Sequence, residues 1–311
     1  MTDKLYDVAV IGGGSAGMSA ALYLKRSGLD VVLIERGLYG GQLNNTSSIE
    51  NYIGVGNIGG AELSEQMYNQ IIENDIDTIY GDVKNIEFDI DKTTILQMRK
   101  RSVKSKTVVL ATGVKHKELG VTGEKELHGQ GVSYCATCDG YFYKDKHVVV
   151  IGGGDSAFEE GAYLADLAKS VTLSYYKDIN NSKAKDSLIN KFLSKDNTRI
   201  IDNHEIISLF KDEKDEKIVV LFNTNMEKVG LVKVDGVFAY VGVEPINDLA
   251  KQIGVELDSN DYIKVGSCYQ TSTPGVFAIG DIIHPDMKQV AIAVSDGALV
   301  SKYVKEYIDS M

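Results

Sequence analysis

The sequence predicts an α/β protein built from two parallel-sheet units, the second inserted into the first. Three observations predict it. Residues 8–17 (VAVIGGGSAG) return at a spacing of 140 residues as 148–157 (VVVIGGGDSA). Each copy opens on a short β-branched run, as a strand buried on both faces does, and passes through glycines into a helix-period segment. Each then reaches a second apolar strand, VVLIE at 31–35 and VTLSY at 171–175. Two strand–turn–helix–strand units in one chain are the pattern of two Rossmann-like dinucleotide-binding folds.

The elements follow in order. Helices are expected over 16–26 and 157–167, where apolar residues recur with a helical period. A third strand closes each unit, TVVLATG at 107–113 and VDGVFAYVG at 234–242. Pro245 and its polar neighbours read as the exit from the second unit. The remaining tail carries VFAIGD at 276–281 and then a helical pattern to the C-terminus. It is short for a separate domain, so it is expected to return and complete the first unit. The predicted domains are therefore 1–115 plus 246–311, and 116–245.

Composition narrows the function classes. Of 311 residues 43% are apolar and 25% charged, ordinary values for a globular chain. Lys and Arg total 33 against 44 acids, a net charge of −11. That balance argues against a nucleic-acid or anionic-membrane binder, which needs clustered positive charge. No apolar run approaches the roughly 18–20 residues that span a bilayer, and MTDKLYDVAVIGGG does not read as a signal peptide. Three cysteines are too few for a disulfide-stapled secreted fold. A cytoplasmic protein is expected. The basic run Arg99, Lys100, Arg101, Lys104, Lys106 reads as a solvated strand or hairpin face, and the five histidines lack metal-ligand spacing.

Two constellations carry chemistry. In the first turn, Gly12, Gly14 and Gly17 have the dinucleotide spacing. The first allows the tight turn, the second lets backbone approach a pyrophosphate, and the third lets helix pack on strand. Glu35 ends the second strand 23 residues beyond Gly12, placed to accept bonds from ribose hydroxyls. The second constellation is Cys135-Ala136-Thr137-Cys138-Asp139-Gly140. A C-x-x-C pair can close a small disulfide, and a thiolate with a resolving partner is what disulfide exchange needs. Asp139 is positioned to move the proton of the departing thiolate. Structural zinc wants four ligands, and the only other cysteine is the isolated Cys268, so the redox reading is preferred.

Together these motifs resemble the low-molecular-weight thioredoxin reductases. The resemblance spans essentially the whole chain and rests on ERGLYGGQL at 35–43, ENYIG at 50–54, ATG at 111–113, GVSYCATCDG at 131–140, IGGGDSAFEE at 151–160 and FAIGDI at 277–282. It implies FAD on the first unit plus the tail. The FAD residues would be Gly12, Gly14, Ser15, Gly17, Glu35, Arg36, Gly40, Gly41, Gln42, Asn51, Val83, Ala111, Thr112, Gly113, Gly280, Asp281, Lys288, Gln289 and Val290. The family has arginine before that glutamine; Lys288 keeps the charge and loses the planar fork. The resemblance also implies that Cys138 faces the flavin and Cys135 attacks thioredoxin. It further implies a swivel of the inserted domain on linkers near 114–118 and 243–246, and a homodimer.

The second turn departs from the family. Gly152, Gly154, Asp155 and Ala157 keep a nucleotide-like pattern, but the position matching Glu35 is Tyr175. Where the family grips the 2′-phosphate of NADPH with a His-Arg-Arg triplet and a later arginine, this chain has Tyr175, Tyr176, Lys177 and Asn181. Losing two or three charged hydrogen bonds of roughly 1.5–3 kcal/mol each weakens NADPH by on the order of three decades or more. Three donors stay open: NADPH through Lys177, Lys183 and Lys185; NADH with Tyr175 or Tyr176 stacked on adenine; or ferredoxin, as in a branch of the family from anaerobic bacteria. The third is favoured. Two rival functions are a reductase of another disulfide partner and a flavin redox sensor.

Overall fold

The computed structural model describes residues 4–46, 49–90, 93–224, 229–284 and 287–311, with the side chains of Cys138 and Thr224 outside that set. The chain forms two compact units, residues 1–115 with 244–311, and residues 116–243. The return crossing thus falls two residues before the expected 245–246. The physical reason is local: Glu244 pairs with Lys115 at 2.9 Å, and the Ile246 N–H bonds the Gly113 carbonyl, so both residues are tied into the first unit.

In the first unit, strand β1 (Leu5–Ile11) lies between β2 (Val31–Glu35) and β6 (Ser102–Leu110), with β3 (Asp77–Tyr80) outside β2, all parallel. The far edge of β6 is shared. Its first half pairs antiparallel with β5 (Thr94–Met98), which pairs with β4 (Val83–Phe88). Its second half takes Val276–Ala278 in parallel register, Val276 opposite Val108. That pairing is how the tail completes the first sheet.

Alternation along β1 sorts the core. Val8 and Val10 join Met18, Leu24, Phe277 and Val300 on one face, while Ala9 and Ile11 join Val32, Leu96 and Leu110 on the other. Helix α1 (Ser15–Arg26) covers the first face. Lys25 and Arg26 sit in its last turn, complementing the helix dipole, and Gly28 at φ +82° follows its end. The C-terminal helix (Val290–Asp309) packs on α1. Contact is close at Gly297, where a Cβ would stand 2.5 Å from the Ala16 carbonyl oxygen and 2.6 Å from the Ala20 nitrogen.

The second unit repeats the theme. Its parallel sheet runs Thr198–Ile201, Ser170–Ser174, His147–Ile151, Gly236–Ala239 and Val132–Ser133 in spatial order. Helix Asp155–Ala165 follows the second glycine turn, starting two residues before the expected 157. A three-stranded antiparallel sheet (His204–Lys211, Ile218–Thr224, Val229–Val234) fills a stretch to which the periodicity had assigned nothing. The basic run lies on the β5–β6 hairpin, as expected of a solvated face. Within it Arg101 donates to the Tyr80 carbonyl and Lys106 pairs with Asp7 at 2.7 Å.

Gly297→Leu should force α1 and the C-terminal helix apart and cost roughly 1–3 kcal/mol or more. Urea unfolding of the variant beside the parent measures it, and an unchanged midpoint would contradict the close contact.

Candidate functional site

The first turn is pinned by backbone before any ligand is considered. Gly12 has φ +111°, and a Cβ there would lie 2.2 Å from the Ala111 carbonyl oxygen, so this crossing admits no side chain. Gly17 lies beneath the turn, its would-be Cβ 1.8 Å from the Gly12 oxygen. The Gly40 N–H bonds the Gly13 carbonyl at 2.7 Å, which ties the 36–41 loop to the turn. Glu35 holds the same place from the other side. Its carboxylate accepts the Gly13 N–H at 2.6 Å and the Gly37 N–H at 2.7 Å.

Gly12, Glu35, Gly40 and Ala111 line a cavity of about 470 Å³ wholly within the first unit. On its wall are Gly12, Gly14, Ser15, Glu35, Arg36, Gly40, Gly41, Gln42, Val83, Ala111, Thr112, Gly113, Gly280 and Asp281, all expected from sequence. The wall opposite Gly14 is open, the nearest atom to a Cβ there being the Gly40 oxygen at 4.0 Å. Helix α1 starts at this cavity with no acid in its first turn and no side-chain cap, so its N-terminal N–H groups suit an anion. Burial raises the Asp281 carboxyl above the usual carboxylate range, against the lowering pull of Lys288 and His284.

Other expected residues stand elsewhere. Gly17, Asn51, Lys288, Gln289 and Val290 are not on the cavity wall. Asn51 donates to Gln289 at 2.8 Å, and the Lys288 ammonium lies 5.1 Å from the Tyr262 ring centre. Conversely, Gly81, Asp82, Lys84, Ile246, Asp248, Leu249, Gln252 and Ala293 line the cavity without a sequence signal. A second support also escaped sequence reading. Buried Asp296 accepts the Gly280 N–H at 3.0 Å, the Tyr269 hydroxyl at 2.9 Å and contacts His284 Nε2 at 2.9 Å, fixing the turn that carries Asp281. Asp296 lies 12 to 27 residues from each of these partners in sequence, and only the fold joins them.

The cysteine turn lies in the second unit. Cys135 is disulfide-bonded and half-buried. Ser133 organises its surroundings: its hydroxyl accepts the Cys135 N–H at 3.0 Å and donates to Asp139 at 2.7 Å. Asp139 is thereby held within the turn, four residues from Cys135, and its N–H bonds the Cys135 carbonyl at 3.1 Å. The Ala136 N–H donates to the Tyr240 hydroxyl at 2.7 Å. The expected role of the Cys138 sulfur lies outside the described residues. Beside Tyr240 is Glu160, whose carboxyl is pushed up to about 7 by burial first and by the charge of Glu159 second.

The second glycine turn differs from the first at the strand end. Tyr175 is 8% exposed, and its ring covers Gly153, with a Cβ at Gly153 falling 2.3 Å from it. Where Glu35 offers an acceptor, Tyr175 offers hydrocarbon. One face of the Tyr175 ring is thus spent on the turn, and of the two tyrosines offered for stacking on an adenine Tyr176 is the exposed one. Asp155 accepts the Lys185 N–H at 2.9 Å and pairs with its ammonium at 3.4 Å. The Lys177 ammonium sits 4.8 Å from the centre of the Tyr176 ring. Arg199 donates to Thr172 across the sheet. A cavity of about 470 Å³ in this unit is lined by Gly152, Ser174, Tyr176, His204 and Glu205 among others, but not by Gly154, Asp155, Ala157 or Tyr175.

Comparison with known proteins agrees with this geometry. Residues 6–297 match the family described as pyridine nucleotide-disulphide oxidoreductase. A thioredoxin reductase of Listeria innocua is 37% identical over 309 residues, 99% of this chain and 96% of its own. That of Bacillus subtilis is 36% identical over the same span and the same shares. The crystal structure of Lactococcus lactis thioredoxin reductase matches with TM-score 0.91 and 35% identity, over 98% of this chain and all of that one. The T. acidophilum enzyme matches with TM-score 0.89 and 33% identity over 99% of each.

Glu35→Ala strands two backbone donors at the cavity and should weaken FAD at least tenfold in titrations of the apoprotein, at roughly 1.5–3 kcal/mol per charged hydrogen bond; unchanged affinity would contradict the fit. For Glu160 the sign is set by a raised folded value. The native state keeps its proton between pH 4.5 and about 7, so stability falls as pH rises through that window. Glu160→Gln removes the loss, and its stability relative to the parent should climb by roughly 2–3 kcal/mol from pH 4.5 to 8. A pH-independent difference in denaturant unfolding would oppose it.

Proposed function

The chain belongs to the pyridine nucleotide-disulphide oxidoreductase family, in its thioredoxin reductase group, and from that premise we propose that it reduces the disulfide of thioredoxin through Cys135 and Cys138. The observation that carries the reading is the disulfide at Cys135, held in a Ser133–Asp139 turn, in a chain whose other unit carries a dinucleotide cradle.

Family membership implies FAD, and the first cavity fits it. Gly14 leaves room for phosphate backbone at the α1 N-terminus, Glu35 is aimed at the cavity for ribose, and Asp281 is a buried acid on the same wall. When bound, FAD supplies a two-electron reduction of a neighbouring disulfide. The chain supplies the rest. Cys135 as a thiolate attacks the partner disulfide, forming a mixed disulfide and releasing one partner sulfur. The Cys138 sulfur then displaces the second, restoring the intramolecular bond. Asp139, held by Ser133, moves the proton that one sulfur gains as the other loses it.

The donor in this proposal is ferredoxin rather than tightly bound NADPH. The support is the second turn: Tyr175 seals Gly153 where an acceptor would serve a ribose, and Arg199, the one arginine between Gly152 and Pro245, is engaged across the sheet. The cavity beside Gly152 and Tyr176 favours a second reading, a loosely bound NADPH or NADH. A homodimer working in the cytoplasm completes the proposal.

Cys135→Ser should abolish thioredoxin reduction and leave the bound flavin in place; activity within tenfold of the parent would remove the assignment. Anaerobic mixing of the oxidised holoprotein with NADPH, NADH or reduced ferredoxin decides the donor by flavin bleaching. Fast bleaching with ferredoxin alone is expected, while fast bleaching by micromolar NADPH would overturn that part. Bleaching without turnover on thioredoxin would point to another disulfide partner or to a sensor.

A further inference from the structure

A buried acid stands behind the cysteine turn with an oxygen unused. Glu160 lies on helix Asp155–Ala165, 9% exposed, and its Oε2 has no hydrogen-bond partner. That helix packs against the turn Ala136–Asp139. Tyr240, itself 8% exposed, shares their apolar cluster with Ala136 and Ala157, and its hydroxyl takes the Ala136 N–H at 2.7 Å. The Tyr240 phenol is raised by burial and by the charges of Glu160 and of Asp139, so it faces acids on both of the packed elements. Other titratable groups around this point include Glu159 on the same helix, Tyr143, whose phenol is raised by burial and by the charge of Asp139, and His116, whose ring is 6.4 Å from that of Tyr240. Burial lowers the His116 imidazole, which favours its neutral form.

We propose that Glu160 controls the ionisation of the Cys135 thiol, acting across Tyr240 on the cysteine turn. This rests on the reading of Cys135 as the attacking sulfur. A carboxylate on the helix and a thiolate on the turn that packs against it are like charges, and each opposes the other. With the disulfide closed, sulfur carries no charge. Once two electrons open it, each sulfur either keeps a negative charge or takes up a proton. A neutral Glu160 lets Cys135 lose its proton and become a nucleophile; an ionised Glu160 holds the proton on sulfur. Because Glu160 changes charge near neutrality, it leaves Cys135 as reactive as an isolated thiol on the acid side and holds it back on the alkaline side. Glu160 is a positioning group and need not touch the partner.

The test uses FAD-loaded full-length protein carrying Cys138→Ser and Cys268→Ser, which leaves Cys135 as the sole thiol for iodoacetamide. Adding Glu160→Gln removes the charge and keeps the shape. Alkylation should quicken on the order of three- to tenfold at pH 8, a shift of up to about one pKa unit, and stay equal at pH 6, where Glu160 is neutral in both proteins. The same gain at both pH values would mean altered access rather than charge and would overturn the proposal, as would no gain at pH 8. If the glutamine variant loses FAD or its native circular dichroism, the parent background decides alone. Its pH–rate profile should depart from a single ionisation with an inflection near 7, and a single-ionisation curve overturns the proposal. Alkylation does not involve thioredoxin, so failure here leaves the proposed activity standing. Thioredoxin reduction surviving Cys135→Ser removes the assignment of Cys135 as the attacking sulfur without this measurement.

Discussion

A buried parallel strand that must turn directly into a helix has room for little but backbone at the turn, and this constraint organises both units. At the first turn the Gly12 Cα passes against the Ala111 carbonyl, and Gly17 lies against Gly12 itself. The helix start is thereby held against the strand, with its unsatisfied N–H groups directed into one cavity. The Glu35 carboxylate and the Gly40 loop are fastened to this crossing by hydrogen bonds from and to its backbone.

The duplicated turn shows how little change alters its chemistry. Both copies keep the first glycines of the turn, since Gly152 approaches the Tyr240 carbonyl as Gly12 approaches that of Ala111; the third, Gly17, gives way to Ala157 in the second copy. What differs is the residue at the end of the second strand. A carboxylate there reaches back to the turn and still faces the cavity; a tyrosine lies flat on Gly153 and joins the core. Strand–helix packing is preserved in both, and the polar acceptor survives in only one. Intact glycines are therefore evidence of packing first and of ligand binding second.

The cysteine turn takes its character from residues remote in sequence. Ser133 links the sulfur-bearing backbone to Asp139, and Tyr240 reaches in from the end of a strand a hundred residues later to hold Ala136. Both fasten the pair to the rigid sheet of the second unit. A thiol–disulfide centre works by small shifts in sulfur ionisation, so a half-buried turn flanked by acids on two packed elements is a setting in which such shifts are large.

By itself the sequence determined the α/β class, the inserted order of the units and both glycine turns, while resemblance to a known family supplied most of the fourteen expected residues that lie on the first cavity wall. The class, the order of the units and the turns were legible because they depend on local spacing: β-branched runs and glycine intervals state their geometry within a dozen residues. Only the tertiary structure decided the role of Tyr175, which propensity alone leaves as an aromatic at a strand end. It alone joined Asp296 to Gly280, and Glu160 to the neighbourhood of Ala136. The antiparallel sheet after 204 went unread as well, because its alternation is interrupted by a register shift between Ile206 and Ser208. The physical reason is common to all of these. A contact made across a sheet or between packed helices leaves no periodic trace in either partner, whereas a turn writes its requirement into consecutive residues.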